Sequence, residues 1–428
     1  MGLLEGLLAE IDKIPILDTH EHLMPEGQRL RQKLDVFYLF GHYVSSDAVS
    51  AGLPIRKWPW LWDSSQSLAE RWALFSPYWE RVRHVAHGRA ILTAVRDLFG
   101  IDDLNDGTYE AVCDALTRSQ NAGWYRHVLR ERAGIELSIQ DIQSLDVDRE
   151  LFVPVMRCDP FIMVCCRREL WALEESTGVA IHGLDDLLRS VDAALEAGVR
   201  AGMAALKMAV AYWRPLQFAK VTRHEAEVAF NRITCALDPL RVLICGDNAC
   251  TWDELRPLQD YTVYHIVRRS IELHIPIQVH AGYQEGNSNY ITNSNPVLLA
   301  SLLMEYPEAR FDVFHGGYPY WEELTTLAKN FPNVFIDMCW LHILSPTAAR
   351  QALHVWLEAV PLNKIMGFGG DYGFVEGSYG HSRIARYNIA RVLTEKVEEG
   401  YSTEEQALLV ARRLLHDNAC DLFGLGAP

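Results

Sequence analysis

The chain has 428 residues, nearly half of them hydrophobic, and a formal net charge of −16. That length allows one large domain with an insertion and does not require two. The acidic balance argues against a nucleic-acid binder, which needs a basic face, and no run approaches the roughly 20 apolar residues of a membrane span.

Met1 to Ile16 has the pattern of a short acidic amphipathic helix, without the positive start and long apolar run of a signal peptide. Short β-branched runs then alternate with helical stretches. The predicted strands are Ile14 to Thr19, Ile135 to Gln140, Leu151 to Met156, Ala205 to Ala209, Pro276 to Val279, Phe311 to Phe314, Val334 to Asp337 and Ile365 to Gly369. Between them, Leu184 to Ala197 has apolar positions at helical spacing, and Gly198 is expected to stop that helix. Thr222 with Glu225, and Ser402 with Glu405, read as capping boxes. Asp141 to Glu150 leaves room for little helix. Strands alternating with helices imply a parallel sheet, and eight such units close most naturally into a (β/α)₈ barrel.

Residues 1–23 and 134–428 are assigned to this barrel, and residues 24–133 to a helical insertion. The insertion carries Trp58, Trp60, Trp62, Trp72, Trp79 and Trp124. It follows the first strand, so it springs from the C-terminal mouth and is expected to cap it. Large aromatics of this kind usually serve packing. The nine cysteines are scattered and odd in number, and Cys165 and Cys166 are adjacent. This suits free thiols in a reducing, cytoplasmic compartment.

The sharpest local motif is Asp18-Thr19-His20-Glu21-His22 at the end of the first apolar strand. Residues two apart on a strand point the same way, so His20 and His22 present two imidazoles to one point. The fifth strand ends in His280, the sixth in His315 and the eighth in Asp371. Polar side chains at the C-terminal ends of barrel strands are where catalytic residues sit. Lys207 ends the fourth strand among small, apolar neighbours. Burial lowers the pKa of such an amine, and a neutral amine can take up carbon dioxide as a carbamate. The alternative is a lysine paired with a carboxylate of the barrel or of an acidic substrate.

This set, His20-x-His22, Lys207, His280, His315 and Asp371, resembles the amidohydrolase superfamily and its amidohydrolase-2 branch, to which uronate isomerases are related. The segment Ala205-Leu206-Lys207 with Tyr212 and Arg214, and the ending Asn418-Ala419 with Leu422-Phe423, add to the likeness. The resemblance implies one or two divalent ions, zinc first and manganese or iron next. His20, His22, His280 and Asp371 would hold one ion; a carboxylated Lys207 with His315 would complete a second site. It also implies hydroxide made from metal-activated water, with Asp371 as the proton acceptor and His315 and Lys207 assisting.

Arg157, Tyr212, Arg214 and Trp340 are the candidate substrate contacts, with His342, His381 and Arg383 as weaker ones. Cations near the mouth point to a small anionic substrate. The expected activity is hydrolysis of an amide, lactone or ester bond in a small acidic metabolite. The alternative is a uronate-type isomerase or a decarboxylase on the same scaffold. The insertion favours the isomerase, whereas Tyr372-Gly373 after Asp371, in place of an arginine, counts against it. Neither a nucleic acid nor a membrane is expected as partner, and association into a homo-oligomer is compatible with the fold.

Overall fold

In the computed structural model, residues 2–235 and 250–425 are described. Eight parallel strands follow one another in chain order around a single sheet: β1 Ile16–Glu21, β2 Ile135–Gln140, β3 Phe152–Arg157, β4 Ala205–Met208, β5 Ile277–Val279, β6 Phe311–Val313, β7 Val334–Asp337 and β8 Ile365–Met366. Beyond the short β8, the amide of Thr19 donates to the Phe368 carbonyl at 3.2 Å and that of Asp371 to the His20 carbonyl at 2.8 Å. These bonds bring the last strand back to the first, so the sheet is a nearly closed barrel.

The strands read as near-continuous apolar runs because both faces of a parallel barrel sheet are covered. Ile16, Ile135, Leu206, Ile277, Phe311, Val334 and Ile365 are all buried. Helices flank the strands, with none in the short connection between β2 and β3. Two local expectations are corrected. The helix Leu184–Arg200 passes through Gly198, because Gly198 is there to make space: a Cβ on it would lie 2.3 Å from Met203 Sδ. The second capping box uses Thr403 and Gln406, one residue later than the sequence suggests.

Between β1 and β2 the chain forms only helices and turns. Their apolar residues, among them Phe37, Phe40, Trp72, Phe75 and Trp79, share one cluster with Phe314, Trp340, Tyr372 and Phe374 from the ends of β6, β7 and β8. The insertion therefore has a hydrophobic core whose floor is the barrel mouth. Burying that much aromatic surface also seats the short helix Tyr43–Ser50 above the strand ends. Among the described residues, no helix is long and apolar enough to cross a membrane.

Candidate metal centre and active site

The residues Asp18 to His22 divide their work. His20 and His22 bring Nε2 to Nε2 at 3.3 Å. Asp18 and Glu21 instead hold the far side of the mouth: Asp18 accepts from the Gly370 amide at 2.9 Å and Glu21 from the Tyr372 amide at 2.8 Å. A Cβ on Gly370 would sit 1.8 Å from Glu21 Oε1, so glycine is required for this approach. The next residue, Asp371, has φ +56° and turns its carboxylate back over the strand ends. Its Oδ1 lies 3.3 Å from His22 Nε2 and 3.9 Å from His20 Nε2.

These three atoms form a triangle that fits a divalent cation. Bonds of about 2.0–2.2 Å in tetrahedral geometry separate ligand atoms by roughly 3.3–3.6 Å. His22 donates from Nδ1 to the Asp141 carbonyl at 2.7 Å, which leaves Nε2 with a lone pair for the centre. Burial pushes the Asp371 carboxyl up, but the hydrogen bond and charge of His22, with His20 and His315, prevail and hold it well below the usual range. Burial, Lys207 and His22 together keep His20 neutral.

A second histidine pair stands opposite. His280 donates from Nε2 to the Tyr283 carbonyl at 3.0 Å, and His315 donates from Nδ1 to the Cys339 carbonyl at 3.0 Å. Both protons are thereby assigned to the outer nitrogens. The inner ones, His280 Nδ1 and His315 Nε2, face each other at 3.1 Å. Burial, His315 and Lys207 lower His280 well below the imidazole range, and burial takes His315 to about 4. Two neutral rings thus aim lone pairs at one point, an arrangement that a cation would relieve. The sequence groups His280 with His20, His22 and Asp371; in the structure its Nδ1 faces His315. His315 also has φ +59° and Trp340 φ +63°, so strained backbone recurs around the site.

Lys207 is buried at the end of β4, with Nζ 3.5 Å from the centre of the Phe314 ring. No carboxylate lies within ion-pair distance of it among the described residues. Burial lowers its pKa against the pull of Asp371, Cys339 and Asp141.

A cavity of about 470 Å³ opens over these groups. Its lining includes His22, Lys207, His280 and Asp371, and also Arg157, Tyr212, Trp213 and Glu285. Arg157 is gripped by Asp141, with Nη2 at 2.5 Å and Nε at 3.1 Å from Oδ2, yet stays part-exposed to the cavity. The Tyr212 hydroxyl accepts from the Glu285 amide at 3.0 Å and keeps its own proton to donate. Trp340 stands behind the lining, buried and stacked on Tyr43 at 4.3 Å between ring centres. Arg214 is elsewhere: it is buried against Asp260 at 2.6 Å, Gln259 at 3.0 Å and the Gln217 carbonyl at 2.9 Å. His342 and His381 bond the Gly367 and Gly370 carbonyls, and Arg383 pairs with Asp12. None of these last four lines the cavity.

Several lining residues escaped the sequence reading, four of them polar or aromatic side chains close to the histidines and Arg157. Asp141 directly follows β2, and the strand-end rule applied to Gln140 plus one would have found it. Glu285 lies in the loop after β5. His42 and Tyr43 come from the insertion, where no periodicity marks them. Tyr43 donates its hydroxyl to the Asp371 carbonyl, and burial lowers His42 to about 4.

Residues 248–425 match the amidohydrolase-2 family profile, a stretch that carries His280, His315 and Asp371. This part of the barrel is similar to amidohydrolases. Over 182 residues the chain is 31% identical to protein fluG of Emericella nidulans, which is 40% of this chain and a fifth (20%) of that protein's length. Its fold is shared with a uronate isomerase from Thermotoga maritima, at 18% identity and a TM-score of 0.79 over 98% of this chain and 97% of that one. A candidate metal-dependent hydrolase from Lactobacillus casei matches at 18% identity and a TM-score of 0.63, again over 98% and 97%.

Proposed function

We propose that this protein is a metal-dependent enzyme of the amidohydrolase type that hydrolyses an amide, lactone or ester bond in a small acidic metabolite. One observation carries the reading: His20 Nε2, His22 Nε2 and Asp371 Oδ1 converge within 3.3–3.9 Å at the base of a cavity that Arg157 also lines. These three residues would hold a divalent ion, and two imidazoles with a carboxylate suit zinc. His280 and His315 would hold a second, with Lys207 as a carbamate completing it. Such ions supply a polarised carbonyl and an acidified water.

The chain's own groups do the rest. Asp371, kept ionised, accepts a proton from the attacking water and returns it to the leaving group. Arg157, fixed by Asp141, directs its remaining N–H groups at a substrate carboxylate. Tyr212 donates its hydroxyl proton into the cavity. The insertion closes the site and excludes bulk water.

Aldose–ketose isomerisation of a uronic acid is the second reading. It is favoured by the likeness to the uronate isomerase, which spans 98% of this chain and so includes the insertion. Asp371 would then move a proton between adjacent carbons. Incubating the zinc-loaded protein with amides, lactones and uronic acids in oxygen-18 water separates the two. Hydrolysis predicts metal-dependent product carrying the label. Interconversion of a uronic acid without label overturns hydrolysis in favour of isomerisation.

A further inference from the structure

A second cavity of about 470 Å³ lies outside the active site. Four arginines line it: Arg89 and Arg96 of the helix Ala86–Phe99, Arg350 of the helix Pro346–Ala359, and Arg383 of the helix Val375–Glu398. Asp97 is the single carboxylate among the lining residues. On a chain of net charge −16, this is a local concentration of positive potential.

Two of the arginines are already neutralised. Arg96 pairs with Asp97 at 2.7 Å and Arg383 with Asp12 at 2.9 Å. The other two are not. Arg350 is aimed by the buried Asn388, whose Oδ1 accepts from it at 2.9 Å and whose Nδ2 meets His342 at 3.3 Å. Arg89 has no carboxylate within ion-pair distance among the described residues. Leu8, Ile384 and Tyr387 add apolar surface to the same lining.

The walls are rigidly set. A Cβ on Gly380 would lie 2.0 Å from the Ala90 carbonyl oxygen, so the two long helices touch backbone to backbone there. The cavity residues Arg89, Arg383 and Ile384 flank that contact directly. A built pocket with two uncompensated guanidiniums and an apolar wall has the chemistry of a ligand site.

We propose that this cavity binds a small dianion with an apolar body, its phosphate or carboxylate oxygens on Arg89 and Arg350. The site is independent of the catalytic reading, since none of its residues lines the active-site cavity.

Calorimetric titration with phenyl phosphate, inorganic phosphate and succinate tests it. Saturable binding is expected, tightest for phenyl phosphate; inorganic phosphate against succinate distinguishes the two oxyanions. An Arg89→Ala, Arg350→Ala double variant should weaken binding by about tenfold or more, the loss expected of charge-assisted contacts. Arg56→Ala, an exposed arginine that lines neither cavity, should leave it unchanged. Undiminished binding in the double variant, loss of binding in Arg56→Ala, or no saturable binding to the wild type overturns the proposal. Because Arg89 is exposed, Arg89→Glu provides a variant expected to fold normally, checked by circular dichroism, and should show the same loss.

Discussion

The two histidine pairs at the barrel mouth are alike in geometry and differ in how closely the Asp371 carboxylate approaches them. On the β1–β8 side, His20 and His22 face each other at 3.3 Å with the Asp371 carboxylate 3.3 Å from His22. On the β5–β6 side, His280 and His315 face each other at 3.1 Å, and burial and Lys207 lower both rings against the pull of Asp371. A divalent cation is favoured where an anion joins two imidazoles and opposed where an ammonium does. We expect the first pair to bind an ion as folded. The second adjoins Asp371 through His315 and is expected to bind more tightly when the Lys207 amine is turned into an anion.

The largest expected effect breaks the first pair. Asp371→Asn should remove its bound metal and lower kcat by about 10³-fold or more, combining lost proton transfer with the lost ion. Metal analysis and turnover measured on one preparation check both; full metal content in this variant would refute the assignment.

Arg214→Ala tests whether this residue of the segment after Lys207 is scaffold or site. It would strip the buried Asp260 of its 2.6 Å ion pair, leaving it Arg256 at 3.8 Å and the Ala219 amide, and should cost about 3 kcal/mol of stability by denaturant titration. The folded fraction should keep its KM, and a raised KM would return Arg214 to the substrate.

Acidification tests the neutral histidines of the wall behind the site. Burial lowers His342 from its ordinary 6.5 to about 4. Its contribution is fully present above pH 6.5 and is lost as pH falls through 4, roughly 3 kcal/mol in all. Thermal midpoints recorded between pH 7 and pH 4 should fall, and fall less steeply in His342→Asn.

The smallest effect sharpens the comparison itself. With bicarbonate supplied, wild type should hold two ions per chain, and Lys207→Ala or His280→Ala one, with activity down about 10–100-fold. Two ions retained in Lys207→Ala would mean that the second pair needs no carbamate.

Much of this was legible in the chain because a barrel repeats one local rule. Each strand announces itself as an apolar run, and each functional side chain sits where the run stops, as at His20, His280, His315 and Asp371. Sequence position also predicted that Lys207 would be buried. What failed was side-chain direction in loops. Arg214 and Tyr212 are two residues apart, yet one turns inward to Asp260 and the other lines the cavity. His42 and Tyr43 could not be foreseen, because packing of the insertion's aromatic core brings them to the strand ends.

By itself, the amino-acid order determined eight strands, their parallel sense and the residue type at each strand end, since periodicity and chain order are local properties. Only the tertiary structure decided which histidines face each other, which nitrogen of His22, His280 and His315 carries the proton, and which cation lines the cavity. Those depend on carbonyls and carboxylates contributed by other strands, such as Asp141 for His22 and Cys339 for His315. A lone pair is aimed by whatever occupies the opposite side of its ring, and that partner is distant in the chain.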